Sequence, residues 1–283
     1  MSCVSATPLS CRGFLRDPPA MNSVYSSTTE ADVLTPPPQA DVASIALFID
    51  VDGTLLDLAE RPESVVVEPS LRATLIVLHE RLGGALAVLS GRSLRQIDAL
   101  FGLDQVAAAG LHGAELRGPG GVVLETAPPG ANLIAVRAKA DELGAAIPGL
   151  LVEDKGAAIA LHYRAVPDAE LAVRRAAIGL LDLAGTDFEL LQGQLVIELK
   201  PRHADKGTAL ARLMQLAPFA ERTPWMVGDD VTDEDAFAEA NALGGMSILV
   251  GARRPTAAHH ALASPAAARA WMAALLQETE AAR

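Results

Sequence analysis

The sequence predicts an α/β fold in which a parallel sheet carries helices on both faces and is interrupted by a smaller α+β insertion. Three observations carry that prediction. From Ser44 onward, short apolar runs of strand length alternate with amphipathic runs of helix length, the βα repeat of a parallel sheet. Past the Pro-Pro-Gly at 128–130 the order changes to αββαββ, and after residue 200 the βα alternation returns. The simplest arrangement is one core built from residues 44–126 and 201–283, with a cap domain inserted at 127–200.

In chain order, IALFI (45–49) is apolar throughout, as a strand buried on both faces must be. The helix that follows places Leu71, Leu75, Leu78 and Leu82 on one face, with Pro69 near its start and Gly83 and Gly84 after its end. ALAVLS (85–90) is the second strand, SLRQIDALFG (93–102) the second helix and VAAAG (106–110) the third strand. The insertion reads as a helix over 131–147, strands near LLVEDK and AAIALHYR, a helix over 168–183, and strands near FELLQ and LVIELK. DKGTALARLMQL then reads as a helix, PWMVGD as a strand, DEDAFAEAN as a helix, MSILVG as a strand and PAAARAWMAALLQETEAA as a closing helix. No internal repeat is present. Residues 1–43 are rich in Ser, Thr and Pro, include TPPPQ and show no periodicity, which predicts a disordered extension.

Composition bounds the function. Half of the 283 residues are hydrophobic, ample for a core. Acidic residues outnumber basic ones 35 to 23, and the basic ones are scattered, so nucleic acid is not an expected partner. Both cysteines, Cys3 and Cys11, fall in the predicted extension, which leaves no disulfide framework or thiolate metal site and suits a reducing cytoplasm. No apolar run approaches the roughly 18 to 20 residues that cross a bilayer, and no secretory signal pattern opens the chain.

The chemistry is written at strand ends. Asp50 and Asp52, in LFIDVDGTLLD, are two apart where an apolar strand stops, so their carboxylates share one side. In open α/β sheets that end faces the ligand. Two like charges so close call for a divalent cation or a shared proton, and oxygen-only ligands favour Mg²⁺. A calcium-binding EF-hand is excluded, because Thr54, Leu55 and Arg61 stand where that loop needs Asp or Asn, Gly and Glu. Read alone, DVDG is also compatible with a solvated turn. GDDVTDEDAF repeats the arrangement with Asp229, Asp230 and Asp233, although acidic residues also favour a first helical turn. Ser90 in LSGRS stands between a strand and a helix, where it suits either a phosphate or a cap. Lys206 opens a helix, against the dipole's preference, and so calls for an anionic partner. A nucleophilic carboxylate, a second acid, a divalent cation, a hydroxyl and a lysine are the equipment of phosphoryl transfer.

In order and spacing, DVDGT, Ser90, Lys206 and GDDVTD resemble the four motifs of the haloacid dehalogenase-like phosphatases. The inserted αββαββ unit is similar to the lid of their sugar phosphatase branch. SGR, GLHGAE, VEDKGAAIALHYR, VIELKPRHADKG and GDDVTDEDAF further resemble the trehalose 6-phosphate phosphatase family, over nearly all of the chain from Ala46. The resemblance implies a Rossmann-like core of haloacid dehalogenase type and Mg²⁺-dependent hydrolysis of a small phosphosugar through an aspartyl phosphate. It implies Asp50 as nucleophile, Asp52 as general acid and base, and Ser90 and Lys206 as the groups that grip the phosphoryl oxygens. The ion would be held by the Asp50 carboxylate, the Asp52 carbonyl and Asp229, with Asp230 or Asp233 in support. A functional pairing with a trehalose 6-phosphate synthase is also implied. Another sugar phosphate phosphatase, such as one acting on sucrose phosphate, is the alternative enzyme; a sugar phosphate sensor is the alternative from another class.

For the sugar, Glu153 and Lys155 share one strand face, and Glu198 lies out of phase with Leu195, Ile197 and Leu199. An ordinary solvated sheet face would show the same pattern. Ala158 and Ala160 make one face of their strand small. The resemblance assigns Glu153, Lys155 and Glu198 to the sugar, and adds Ser90, Gly91, Arg92, His112 and Glu115 as residues that orient the phosphosugar. On spacing alone, His112 is equally suited to a structural role. His259 and His260, without partners at ligand spacing, read as surface residues.

Overall fold

The computed structural model describes residues 34–39, 41–58, 65–126 and 132–281. Residues 1–33 of the predicted extension, with Cys3 and Cys11, lie outside the described residues, as does the Pro-Pro-Gly at 128–130. The last ten residues before position 44 are partly built into the fold. Val42 is buried in the main core, and the Thr35 carbonyl accepts from Ala261 N at 3.0 Å, because a sheet edge offers this segment a partner.

The first part of the core runs β1 (Ile45–Ile49), α1 (Pro69–Arg81), β2 (Leu86–Leu89), α2 (Leu94–Phe101), β3 (Ala107–Gly110), β4 (Glu115–Arg117) and β5 (Val123–Thr126). After the inserted unit, α5 (Lys206–Leu213), β10 (Thr223–Gly228), α6 (Glu234–Ala242), β11 (Met246–Val250), β12 (His260–Leu262) and α7 (Pro265–Ala281) complete it. Every residue of β1, β2 and β3 is buried, as expected for parallel strands covered on both faces. The predicted leucine stripe of α1 is the buried one, at Leu71, Leu75, Leu78 and the C-cap Leu82. In α2 the Ser93 side chain accepts from Gln96 N while Gln96 reaches back to Ser93 N, and Gly102 closes the helix in the left-handed conformation.

The sheet order is β12-β11-β10-β1-β2-β3-β4-β5. The six strands from β12 to β3 are parallel, while β4 and β5 are antiparallel. The sequence reading, which gave a parallel sheet ending at β3, thus missed a hairpin at one edge and β12 at the other. The chain reverses after β3 because Leu111, His112 and Gly113 all take positive φ (50°, 58° and 112°), a tight turn that no hydrophobic pattern announces. β1 is the switch point: one connection leads from it through α1 to β2, and strands added later extend the sheet the other way through β10. Right-handed crossovers then put α1 and α6 on opposite faces. Consistent with this, α7 packs on α1 and α5 packs on α6. The crevice at the carboxyl ends of β1 and β10 is therefore where a ligand belongs.

The inserted unit contains α3 (Leu133–Ala146), β6 (Leu151–Asp154), β7 (Ile159–His162), α4 (Glu170–Ala184), β8 (Phe188–Gly193) and β9 (Val196–Pro201), the predicted αββαββ order. Its antiparallel sheet is ordered β6-β7-β9-β8. Alternation divides the faces. Ile159, Leu161, Ile197 and Leu199 face α3 and α4 in a second core, while Glu153, Ala160 and Glu198 sit side by side in register on the other face. Leu195, read as a strand residue, lies instead in the β8–β9 turn at φ 60° and is only partly buried.

Candidate active site

Asp50 follows β1 directly, its N–H donating to Val227 O of β10 at 2.9 Å, which places its carboxylate at the switch point. Lys206, the first residue of α5, reaches it there. Its Nζ lies 2.6 Å from Asp50 Oδ1 and 2.7 Å from Asp233 Oδ1, and the lysine is 2% exposed. The anionic partner that the helix-start lysine called for is thus a pair of buried carboxylates. The other oxygen of Asp233 accepts from Asp229 N at 2.9 Å and Asp230 N at 3.0 Å, so this residue holds the loop after β10 in shape. Thr54 Oγ donates to Asp229 Oδ1 at 2.9 Å. Gly53, at φ 88°, leaves room for that carboxylate, which a Cβ would overlap.

Asp50, Asp229 and Asp233 each bring one oxygen within 4.8 Å of the others. Burial raises the Asp50 carboxyl well above its usual range, with Asp233 and Asp229 adding to the effect against Lys206. Burial, then Asp233, pushes Asp229 up to about 6. Burial works against the charge of Lys206, yet Asp233 and Asp50 hold its ammonium well above the ordinary lysine value. Three carboxylates around one ammonium are short of positive charge. This all-oxygen cluster fits a hard divalent cation such as Mg²⁺. The carboxylates of Asp52 and Asp230, both named with the metal in the sequence reading, lie outside the cluster. Asp52 turns to Arg92, which grips both its oxygens at 2.7 and 2.6 Å. Asp230, exposed, caps the short helical turn at 231–233.

Above the cluster a cleft of about 440 Å³ lies between the core and the polar face of the cap sheet. Ser90, Gly91, Arg92 and His112 line it from the core, and Glu153, Lys155 and Glu198 from the cap. Ser90 Oγ accepts from Arg92 N at 3.1 Å. A Cβ on Gly91 would fall 2.7 Å from His112 Nε2, so only glycine lets the two approach. Lys155 Nζ donates to Glu198 Oε2 at 2.8 Å and to Gly91 O at 3.1 Å, joining cap to core. Glu198 is buried rather than solvated. Burial, the largest single influence, would raise its carboxyl, but Lys155 and His112 together outweigh it and hold the group well below the usual range. Burial lowers His112, aided by Lys206 and Lys155 and opposed by Glu198, whose oxygen is 3.7 Å away. Glu198 Oε1 and His112 Nδ1 are buried without a hydrogen-bond partner among the described residues.

Glu115 does not line the cavity. Its carboxylate accepts from Leu94 N at 2.7 Å, at the start of α2, where a negative charge suits the helix. Ala158, just before β7, and Ala160 within it are fully buried and do not line the cavity. His259 is exposed as expected, whereas His260 is half-buried in β12 beside Thr35. Sequence reasoning missed Gln96, His162, Arg164 and Arg253, all of which line the cavity. His162 was within reach of it, since period-2 alternation from Ala158 and Ala160 puts it on their face.

A profile of the family described as Trehalose-phosphatase matches residues 48–266. The chain belongs to the trehalose-phosphatase family. That membership makes it an enzyme of the phosphatase class. Among its relatives, a probable trehalose-phosphate phosphatase of Sinorhizobium fredii is 45% identical over 230 residues, covering 81% of this chain and 86% of the relative. The trehalose-6-phosphate phosphatase of Escherichia coli is 41% identical over 209 residues, covering 74% and 78%. Among solved structures, a trehalose-6-phosphate phosphatase related protein superposes with a TM-score of 0.73 at 25% identity, over 85% of this chain and 100% of that one. The trehalose-phosphatase core and cap are thus a shared architecture. Among the described residues, no helix is long and apolar enough to cross a membrane.

The charge deficit of the trehalose-phosphatase cluster sets a pH dependence. Asp229 titrates at about 6 in the folded chain, against about 3.9 unfolded. A raised carboxyl contributes stability that is complete below the unfolded value and is lost as pH rises through the folded one. Millimolar Mg²⁺ is therefore expected to raise the melting temperature at pH 8 and to leave it nearly unchanged at pH 4.5. Equal shifts at both pH values, read by calorimetry, would count against this cluster as the cation site.

Proposed function

We propose that the chain hydrolyses trehalose 6-phosphate to trehalose and inorganic phosphate by phosphoryl transfer to Asp50, with Mg²⁺ as cofactor. The observation that carries this reading is the facing of two sets of groups across one cavity. Asp50 and Lys206 stand on its core side, and the sugar-suited polar groups Glu153, Lys155 and Glu198 on its cap side.

An Asp50 oxygen attacks phosphorus in line, the bond from phosphorus to the sugar oxygen breaks, and Asp50 becomes an aspartyl phosphate. Asp52 gives the departing sugar oxygen its proton, then takes one from the water that hydrolyses the acyl phosphate. Arg92, which grips Asp52 in the structure, must first exchange that partner for a phosphoryl oxygen, and its planar fork suits either anion. Ser90 and Lys206 bind phosphoryl oxygens, Lys206 also holding Asp50 in line. Mg²⁺, held by Asp50 and Asp229 with Asp233 in support and the Asp52 carbonyl as a further ligand, would neutralise the charge of the cluster and of the phosphoryl group. The cap excludes bulk water and supplies the sugar contacts. The reading includes a cytoplasmic setting, with a synthase making the phosphosugar.

A substrate panel tests it. Phosphate release with Mg²⁺ present is expected to be at least about 100-fold more efficient, in kcat/KM, from trehalose 6-phosphate than from glucose 6-phosphate or sucrose 6-phosphate, since buried polar groups matched to one sugar are left unpaired by another. Comparable turnover of sucrose 6-phosphate would move the assignment to another sugar phosphate, and tight binding without phosphate release would make the chain a sensor.

A further inference from the structure

Two polar side chains in the cavity wall have no part in the chemistry above, and both end on the same carboxylate. Glu153 Oε1 accepts from Gln96 Nε2 at 2.8 Å, and Glu153 Oε2 lies 2.9 Å from His162 Nε2. They approach from different parts of the molecule. His162 stands on β7, two residues beyond Ala160, the residue paired directly with Glu153. It is a diagonal cross-strand neighbour on the same face, and the small Ala160 leaves the gap across which the two meet. Gln96 belongs to α2 of the core.

The hydrogen positions follow from chemistry. An ionised carboxylate only accepts, so the nitrogen that faces it must carry hydrogen in both cases. For Gln96 a second contact requires the same orientation, because its Oε1 accepts from Ser93 N at 2.9 Å and from Ser93 Oγ at 3.1 Å, leaving the amide nitrogen for Glu153. Burial would raise the Glu153 carboxyl, but His162, Lys155 and Gln96 together hold it below the usual range. Glu153 therefore stays a charged acceptor in a partly buried wall. With one acceptor site on each oxygen taken, about two remain for the cavity.

We propose that His162 and Gln96 are positioning residues for the sugar site, fixing the Glu153 carboxylate from the cap and from the core respectively. The bond to His162 travels with the cap, whereas the bond to Gln96 exists only when cap and core are together. Gln96 also completes the capping of α2, the helix that follows Ser90 and Gly91. Its side chain thereby ties the orientation of a sugar contact to the loop that takes the phosphate.

This inference rests on the trehalose 6-phosphate reading, and the test separates the two. Steady-state kinetics would be measured for wild type, His162→Leu, His162→Gln and Gln96→Met. The substrates are trehalose 6-phosphate and p-nitrophenyl phosphate, which offers Glu153 no sugar. His162→Leu and Gln96→Met are each expected to raise KM for trehalose 6-phosphate about tenfold, the scale of one hydrogen bond to a charged group. Turnover of p-nitrophenyl phosphate should be unchanged in His162→Leu and should fall by a clearly smaller factor in Gln96→Met, which also loses its bonds to Ser93 at the start of α2. His162→Gln, which restores a donor, should recover most of the loss. In a Glu153→Gln background His162→Leu should cost little more, since coupled residues are not additive. Equal losses on both substrates, an unchanged KM, or full additivity with Glu153→Gln would overturn the proposal. Should His162→Leu not fold, Gln96→Met carries the same comparison. Absence of phosphate release from trehalose 6-phosphate by the wild type would defeat the functional reading itself.

Discussion

Asp50→Asn is expected to lose turnover of trehalose 6-phosphate by about 10⁴-fold or more, the scale of removing a nucleophile, and to fold normally. The amide keeps the shape of the carboxyl, and its oxygen can still accept from Lys206 Nζ, which lies 2.6 Å from Asp50 Oδ1 in the native chain. What disappears is the negative charge. Burial and the neighbours Asp233 and Asp229 already disfavour that charge, so its loss relieves repulsion. The melting temperature without divalent cation should therefore equal or exceed that of wild type at pH 8, while no acid-stable phosphoenzyme forms. Phosphate release and calorimetry read the two halves of the prediction separately. Activity within about tenfold of wild type would mean that another group attacks phosphorus; a variant that melts much earlier would mean that Asp50 works chiefly as a partner for Lys206.

How much of this was legible in the sequence depended on whether a pattern was local. β1, β2 and β3 announced themselves because strands buried on both faces are apolar without interruption. α1 did so through four leucines at helical spacing. β4 did not, since three residues carry too little pattern and one of them is Arg117, a buried charge. Its guanidinium is satisfied by Asp98 at 2.8 Å and by the carbonyls of Val106 and Leu103 at 3.0 and 3.2 Å. Those partners are tertiary, so nothing near Arg117 in the sequence marks it as interior. β5 was missed for the opposite reason: its Val123 and Leu124 are apolar but exposed, on an edge strand.

The candidate site divides in the same way. Carboxylates at strand ends and a lysine at a helix start conflict with local preferences, and such conflicts mark chemistry more reliably than agreement does. They led to Asp50, Asp229, Asp233 and Lys206, which the fold brings together. Pairings across the molecule left no comparable trace. Arg92 and Asp52 are forty residues apart, and only the coordinates reveal that each occupies the other. Glu115 matched a motif, yet its carboxylate serves the backbone of Leu94; a motif carries structural residues along with functional ones.

Lys206→Met should be the most destabilising single change in the cavity. The side chain is 2% exposed, and its ammonium is the cation within hydrogen-bond reach of Asp50 and Asp233. Methionine keeps most of the length and volume, so packing is retained and the effect is electrostatic. Removing one partner from a buried charged group costs about 3 to 5 kcal/mol, because the others remain buried and uncompensated. That corresponds to a fall in melting temperature of roughly 6 to 20 °C in a domain of about 150 to 250 residues. The sign with pH follows from the carboxyls left behind. Asp50 and Asp229 are already raised in the native chain, and without the ammonium both rise further. The stability deficit should therefore be largest at pH 8 and shrink as pH falls and the carboxyls take up protons. Mg²⁺ should recover part of it by supplying the missing charge, and should not restore turnover, since the phosphoryl oxygens and Asp50 lose their lysine. A deficit that stayed constant from pH 8 to pH 5 would show that Lys206 stabilises by packing, and the electrostatic account of this cluster would then fail.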